Sequence, residues 1–194
     1  MHFSNRQIQI IEMATNRIDK YGIQELTIKN LANDLELSEA ALYRHFSSKN
    51  EILMGILSYF IVGMKVKVNT IISNELKSPT DVLKELFNNQ LNTFVKNPAI
   101  VSVIFSEGIF QFNNDLSNKL NEMMDLMHVN ISGVIKKGQE DGSFSKMLSP
   151  SVTTTMIMGS MRMVVLKWKL SGNKSNLVKD GQTMLNGILK MLKK

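Results

Sequence analysis

The sequence contains no cysteine. That excludes a disulfide framework, a thiolate metal site and a cysteine nucleophile, and it suits a reducing compartment. Histidine is scarce. His2, His45 and His128 form no His-x-x-x-His pair and lie beside no nucleophile motif. There is no glycine-rich phosphate-binding loop. Strict alternation of apolar and polar residues is also missing, so nothing argues for a sheet. The longest apolar stretches, such as Met156 to Leu166, are broken by Gly159, Ser160 and Arg162. They fall short of the ~20 apolar residues of a membrane span. The residues from Met1 to Arg6 lack the basic-then-apolar order of a signal peptide. These absences lead to the expectation of a soluble, cytoplasmic protein that makes no use of a membrane, a metal or a cofactor and is not an enzyme.

Proline is rare as well. Pro79, Pro98 and Pro150 each follow a polar or small turn segment. Proline suits the first turn of a helix and disrupts its interior. All three therefore read as helix starts. Apolar residues recur at three- and four-residue spacing almost throughout, the signature of amphipathic helices. The 194 residues suffice for one domain of ordinary size plus a small attached module. The expected architecture is all-α, about nine helices. Residues 1–50 form a three-helix module, and residues 51–194 a larger helical domain rigidly joined to it.

Net charge is +6, which invites a nucleic-acid reading. The distribution weakens that shortcut. Residues 1–50 hold six Lys/Arg and six Asp/Glu, whereas residues 162–194 hold eight Lys/Arg against Asp180 alone. The excess lies far along the chain from the module that carries the motif below.

That motif spans residues 27–46. A first helix, Asn5 to Lys20, has an inner stripe of Ile8, Ile11, Ala14, Ile18 and Tyr21, closed by Gly22 as a left-handed cap. A second starts after Thr27 and reaches Leu35. Glu36-Leu37 turns, and Ser38 caps a third that ends near His45. Two short helices joined so tightly make a helix-turn-helix, whose second helix can enter a major groove. Leu31, Leu37, Leu42 and Phe46 would hold the pair against the first helix. Glu39, Ala40, Tyr43 and Arg44 would then point outward. Arg44 can pair with phosphate or read guanine. Tyr43 and His45 can hydrogen-bond phosphates. Ala40 and Ala41 are small enough for close approach. Thr27 and Lys29 open the second helix and Lys49 the fourth, where backbone amides favour a phosphate. With Ser38 and Glu39 these are the candidate DNA-binding residues. Packing of an ordinary helical hairpin is the competing explanation.

The stretch Leu42-Tyr43-Arg44-His45-Phe46-Ser47-Ser48-Lys49-Asn50-Glu51-Ile52-Leu53 closely resembles the signature of TetR/AcrR-family repressors, as does the upstream Gly22…Leu26-Thr27-Ile28…Leu31-Ala32. The specific resemblance covers about residues 5–55. It implies a homodimer on a palindromic operator in double-stranded DNA, with phosphate contacts from Tyr43, His45 and Lys49 and with residues 38–44 facing the groove. Two departures matter. Glu36 stands where the family usually has glycine, and Glu39-Ala40-Ala41 lacks the common groove-facing chemistry.

In the larger domain, residues 149–171 are apolar nearly all round, as in a helix buried on more than one side. Residues 175–193 carry one stripe: Leu177, Gly181, Met184, Leu185, Ile188 and Leu192. The resemblance implies that these two helices pair with their copies in a dimer; internal core is the plainer alternative. It also implies an effector pocket among the middle helices. Candidates are Phe60, Met64, Phe87, Leu91, Phe105, Ile109, Met123, Met127, Met161 and Trp168. The 14 methionines suit an adaptable apolar cavity for a small apolar or amphipathic effector, though a Met-rich core reads the same way. Glu107 and Arg162 are candidate polar handles or solvent-facing charges. Asp115, Glu122 and Asp125 read as a solvated helix face. The function expected is a DNA-binding, ligand-responsive repressor. The alternatives are a repurposed relative acting through a protein partner, and a helical small-molecule-binding protein without DNA binding.

Overall fold

A computed structural model describes residues 3–106 and 113–193, and among these the chain is all-helical. The nine α-helices are α1 (Asn5–Tyr21), α2 (Ile28–Asp34), α3 (Glu39–Tyr43), α4 (Lys49–Ile72), α5 (Pro79–Lys96), α6 (Pro98–Ile104), α7 (Asn114–Glu140), α8 (Pro150–Leu170) and α9 (Leu177–Leu192), with a 3-10 turn at Ile23–Glu25. The chain divides into two compact units. The first comprises Met1–Gly63 and Asn97–Glu122, the second Met64–Lys96 and Met123–Lys194.

In the first unit, Ser4 and Gln7 cap α1 reciprocally: the Gln7 amide donates to Ser4 Oγ at 3.2 Å and the Ser4 amide to Gln7 Oε1 at 3.0 Å. The buried face of α1 is Ile10, Ile11, Ala14 and Ile18. Tyr21, expected on that face, is 52% exposed. At the helix end it lies beneath Arg17 and Lys20, whose cationic groups are each 5.1 Å from its ring centroid. Attraction of both cations to the ring favours this edge position. Gly22 has φ +86° with ψ 163°, a glycine-only extended conformation rather than the expected left-handed helical cap. The chain enters the 3-10 turn directly after it.

The beginning of α4 packs against α1. A Cβ added to Gly55 would lie 3.1 Å from the Phe46 ring and 3.3 Å from Ile11. The helix ends at Ile72, and the Leu76 amide donates to Asn74 Oδ1 at 3.2 Å in the turn that follows. Helix α6 packs on α1 and on the 3-10 turn. It ends at Ile104, beyond which the Ser106 hydroxyl donates back to the Ser102 carbonyl at 2.5 Å.

In the second unit, α9 packs on α5 and α8. Its stripe Leu177, Gly181, Leu185 and Ile188 is buried inside the unit. A Cβ on Gly181 would stand 2.4 Å from Leu91 Cδ1, so the glycine admits α5. The stripe expected to meet a second copy is thus mainly internal core. On α8, by contrast, Thr153, Thr154, Ile157, Val165 and Trp168 face inward while Val152, Met156, Met163 and Leu170 are exposed. Within one chain α8 is therefore not covered on every side. With Gly159 and Leu166, its outer residues follow a four-three-four-three-four spacing, a heptad seam. The loop before α8 is tightly held. Gln139 Nε2 donates to the Ser145 and Leu148 carbonyls at 2.9 and 2.8 Å, and the Ser145 amide donates to the Leu192 carbonyl at 2.7 Å.

Candidate nucleic-acid interface and effector region

The path from α2 to α3 is set by one residue in an unusual conformation. Glu36 has φ +53°, the left-handed region that favours glycine. Its amide donates to the Asn33 carbonyl at 3.1 Å and the Leu37 amide to the Ala32 carbonyl at 2.9 Å. These two bonds define a Schellman motif, with Glu36 at the position usually held by glycine. The non-glycine turn keeps the geometry that the sequence demanded, at a strain of roughly 1 kcal/mol.

Both helices of the pair are capped by hydroxyls. Thr27 Oγ1 accepts from the Asn30 amide and Ser38 Oγ from the Ala41 amide, each at 3.1 Å. Leu31, Ala32, Leu42 and Phe46 are buried behind them, and Leu37 is half-buried. Burying Leu42 and Phe46 anchors α3 by about 1.5–3 kcal/mol each. The opposite side of α3 is open. Glu39, Ala40, Tyr43 and Arg44 are exposed, Tyr43 by 49%, while Ala41 and His45 are half-buried. Thr27, Lys29 and Ser38 are exposed on the same short segment of chain. The candidate contacts other than Lys49 therefore flank one presented helix. Lys49 is half-buried at the start of α4, its ammonium donating to the Ile23 carbonyl at 3.2 Å. Burial there holds its pKa below the usual lysine value. The Glu51 carboxylate accepts from the Ser47 amide and the Glu51 amide donates to Ser48 Oγ at 3.2 Å. Those bonds fix the entry into α4.

The candidate effector residues fall in both units. Phe60 and Phe105 are half-buried in the first. Met64, Phe87, Leu91, Met123, Met127 and Trp168 are buried in the second, with Met161 half-buried. Ile109 and Glu107 lie outside the described residues. Arg162, Asp115 and Asp125 are exposed, and Lys119 donates to the Glu122 carboxylate at 2.6 Å. Two open grooves mark the second unit. One, of about 600 Å³, lies between α4 and α5 and includes Lys67, Thr70, Lys84 and Asn88. The other, of about 210 Å³, includes Ile72, Lys77, Val82, Val129, Val134 and Lys137. None of the nine candidates among the described residues lines either groove. Sequence reasoning missed the buried polar residues Ser58, Gln90 and Thr153. The hydroxyls of Ser58 and Thr153 have no hydrogen-bond partner among the described residues. Their only signal was a polar residue on an otherwise apolar helical face.

A short capped helix, anchored from behind by Leu42 and Phe46 and open in front at Tyr43 and Arg44, is the reading element of a helix-turn-helix DNA-binding regulator. The chain belongs to the tetR family: the description "Bacterial regulatory proteins, tetR family" matches residues 10–55, and "YsiA-like protein, C-terminal region" matches residues 57–191. It is a DNA-binding transcriptional regulator. Among curated relatives it is 20% identical over 159 residues to the nucleoid occlusion factor SlmA of Vibrio campbellii, covering 81% of each chain. Among solved structures it is similar to the fatty acid degradation regulator FadR of Bacillus halodurans, with a TM-score of 0.82 at 22% identity over 97% of each chain. It is also similar to FadR of Bacillus subtilis in complex with stearoyl-CoA, with a TM-score of 0.76 at 19% identity, covering 94% of this chain and 97% of that one. Among the described residues no helix is long and apolar enough to cross a membrane.

Proposed function

We propose that the chain is a ligand-responsive repressor that binds a palindromic operator as a homodimer in the cytoplasm, by binding rather than catalysis. Residues 1–50 are its DNA-binding domain, and residues 51–194 bind the effector and dimerise. The observation that carries this reading is the outward set Ala40, Tyr43 and Arg44 on α3, with Leu42 and Phe46 buried behind it. Thr27, Lys29, Ser38, Tyr43 and His45 contact phosphates and set position. Glu39, Ala40, Ala41 and Arg44 face base edges and set preference. A single head binds weakly, and two heads on a two-fold axis match a palindrome. The exposed seam on α8 supplies an apolar face for that second copy.

The effector is a small amphipathic molecule, and a long-chain acyl thioester is the class to test first. The apolar interior of the second unit, with Met64, Met123 and Met127 buried in it, and the two FadR structures support it. The effector acts through its differential affinity for the DNA-competent and DNA-incompetent states, with α4 as the lever. The SlmA relatives, nucleoid occlusion factors by name, favour a second reading, a role on the nucleoid rather than at a single operator.

The experiment is selection of duplexes from a random pool, followed by titration with wild type and Tyr43→Ala. Enrichment of a two-fold symmetric sequence is expected. Tyr43→Ala weakens all duplexes alike, by about tenfold, roughly one charge-assisted contact. Stearoyl-CoA releases the complex, and stearate alone does so less. Failure to enrich any sequence overturns the DNA reading. Enrichment without release by the thioester overturns only the effector class.

A further inference from the structure

Side chains of three helices converge on the 3-10 turn that follows α1. Arg17 of α1 donates through Nε to the Glu25 carbonyl at 2.8 Å, and Asn30 of α2 donates to the same carbonyl at 3.1 Å. Lys49 of α4 reaches back across 26 positions of sequence to the Ile23 carbonyl at 3.2 Å. Arg17 also pairs with Asp34 at 2.6 Å, tying α1 to the far end of α2. Gly22, at φ +86°, lets the chain enter this turn, and α6 packs against it.

From this convergence we infer that Lys49 is a positioning residue that fixes where α4 leaves the reading head, and is not a phosphate contact. This inference rests on the DNA-binding reading above. An ammonium donates three hydrogen bonds and carries a compact charge on a flexible stem. Free in solvent at a helix start, it would serve a phosphate. Here the side chain is half-buried and its ammonium is held by a backbone carbonyl within the same unit, which fixes where the charge stands. The Ile23 carbonyl opens the 3-10 turn and already accepts from the Leu26 amide at 3.3 Å; the lysine takes its second lone pair and so ties the start of α4 to the bond that forms the turn. The same bond joins the first residue of α4 to a turn that α1, α2 and α6 all touch. Displacement of α6 therefore reaches the start of α4 through this turn, by way of Lys49.

The test compares wild type, Lys49→Met and Lys49→Arg in two measurements. The first is amide hydrogen exchange of residues 23–27 in the DNA-free protein. Lys49→Met is expected to speed exchange there at least fivefold while the amides of α3 keep their wild-type protection, and Lys49→Arg to restore it. The second is the salt dependence of binding to a duplex selected by the wild type. Lys49→Met is expected to weaken binding by about tenfold, the loss of roughly one net hydrogen bond, with the logarithmic salt slope unchanged. A slope lower by about 0.9, the loss of one phosphate contact, overturns the inference. So does unchanged exchange in the turn. If Lys49→Met does not fold, Lys49→Gln replaces it, too short to reach the carbonyl. If the wild type selects no duplex, the DNA reading fails, while the exchange measurement still decides whether Lys49 holds the turn.

Discussion

Glu36 shows how much one residue decides in a small module. Its φ of +53° places a side chain where glycine is the ordinary occupant. The surrounding hydrogen bonds, Glu36 to Asn33 and Leu37 to Ala32, impose that conformation whatever the residue. Relief of the strain is therefore open to measurement. Glu36→Gly is expected to stabilise the protein by about 0.5–1 kcal/mol, read as a rise in denaturant midpoint at unchanged slope. A fall in midpoint would show that the Glu36 side chain contributes more than its backbone costs. Glu39 is the residue-scale counterpart in function. A carboxylate on the presented face repels phosphate, so it narrows rather than broadens what α3 accepts.

The second unit depends on a close contact between a helix and the loop that leaves it. Phe144 is almost fully buried, and a Cβ on Gly138 would lie 2.2 Å from its ring. The Phe144 amide donates to the Gly138 carbonyl at 2.7 Å, so ring and backbone hold the same residue. The ring cannot retreat as a flexible side-chain tip would. Gly138→Ala is expected to destabilise by about 1–3 kcal/mol, despite alanine's better helix propensity. Calorimetry would show a lower Tm; an unchanged or raised Tm would mean that the ring repacks freely. Helix starts were legible because their signals are local: Thr27, Ser38 and Ser149 each accept the backbone amide that their positions implied. Gly138 was not legible as a contact. Nothing in a helical pattern says that a residue six positions on will fold back onto it.

At the scale of the whole molecule, periodicity showed that α8 and α9 are apolar but not which neighbour each would meet. The α9 stripe turns inside, against α5 and α8, because Gly181 admits Leu91. The outer side of α8 stays open at Val152, Met156, Met163 and Leu170. The presented side of α3 was legible, since Leu42 and Phe46 at four-residue spacing leave only one face for Tyr43 and Arg44. The lateral bond from Lys49 was not, because a carbonyl acceptor carries no side-chain signature. If the α8 seam joins two copies, a charge in its centre has no partner. Met163→Glu is expected to weaken dimerisation on the order of 100-fold, with the helical circular dichroism retained. Sedimentation equilibrium checks this; an unchanged association constant would place the joint elsewhere.

The presented helix is very short. Glu39–Tyr43 is five residues, an axial length of about 7.5 Å, whereas successive base pairs rise roughly 3.4 Å. One such probe touches the edges of only two or three base pairs, too few to mark a unique address in a genome. For the homodimer proposed above, the remaining information comes from counting: a fixed distance between two identical probes, and the ease with which the intervening duplex bends to that distance. Discrimination by such a dimer is a matter of spacing and DNA stiffness as much as of side-chain chemistry.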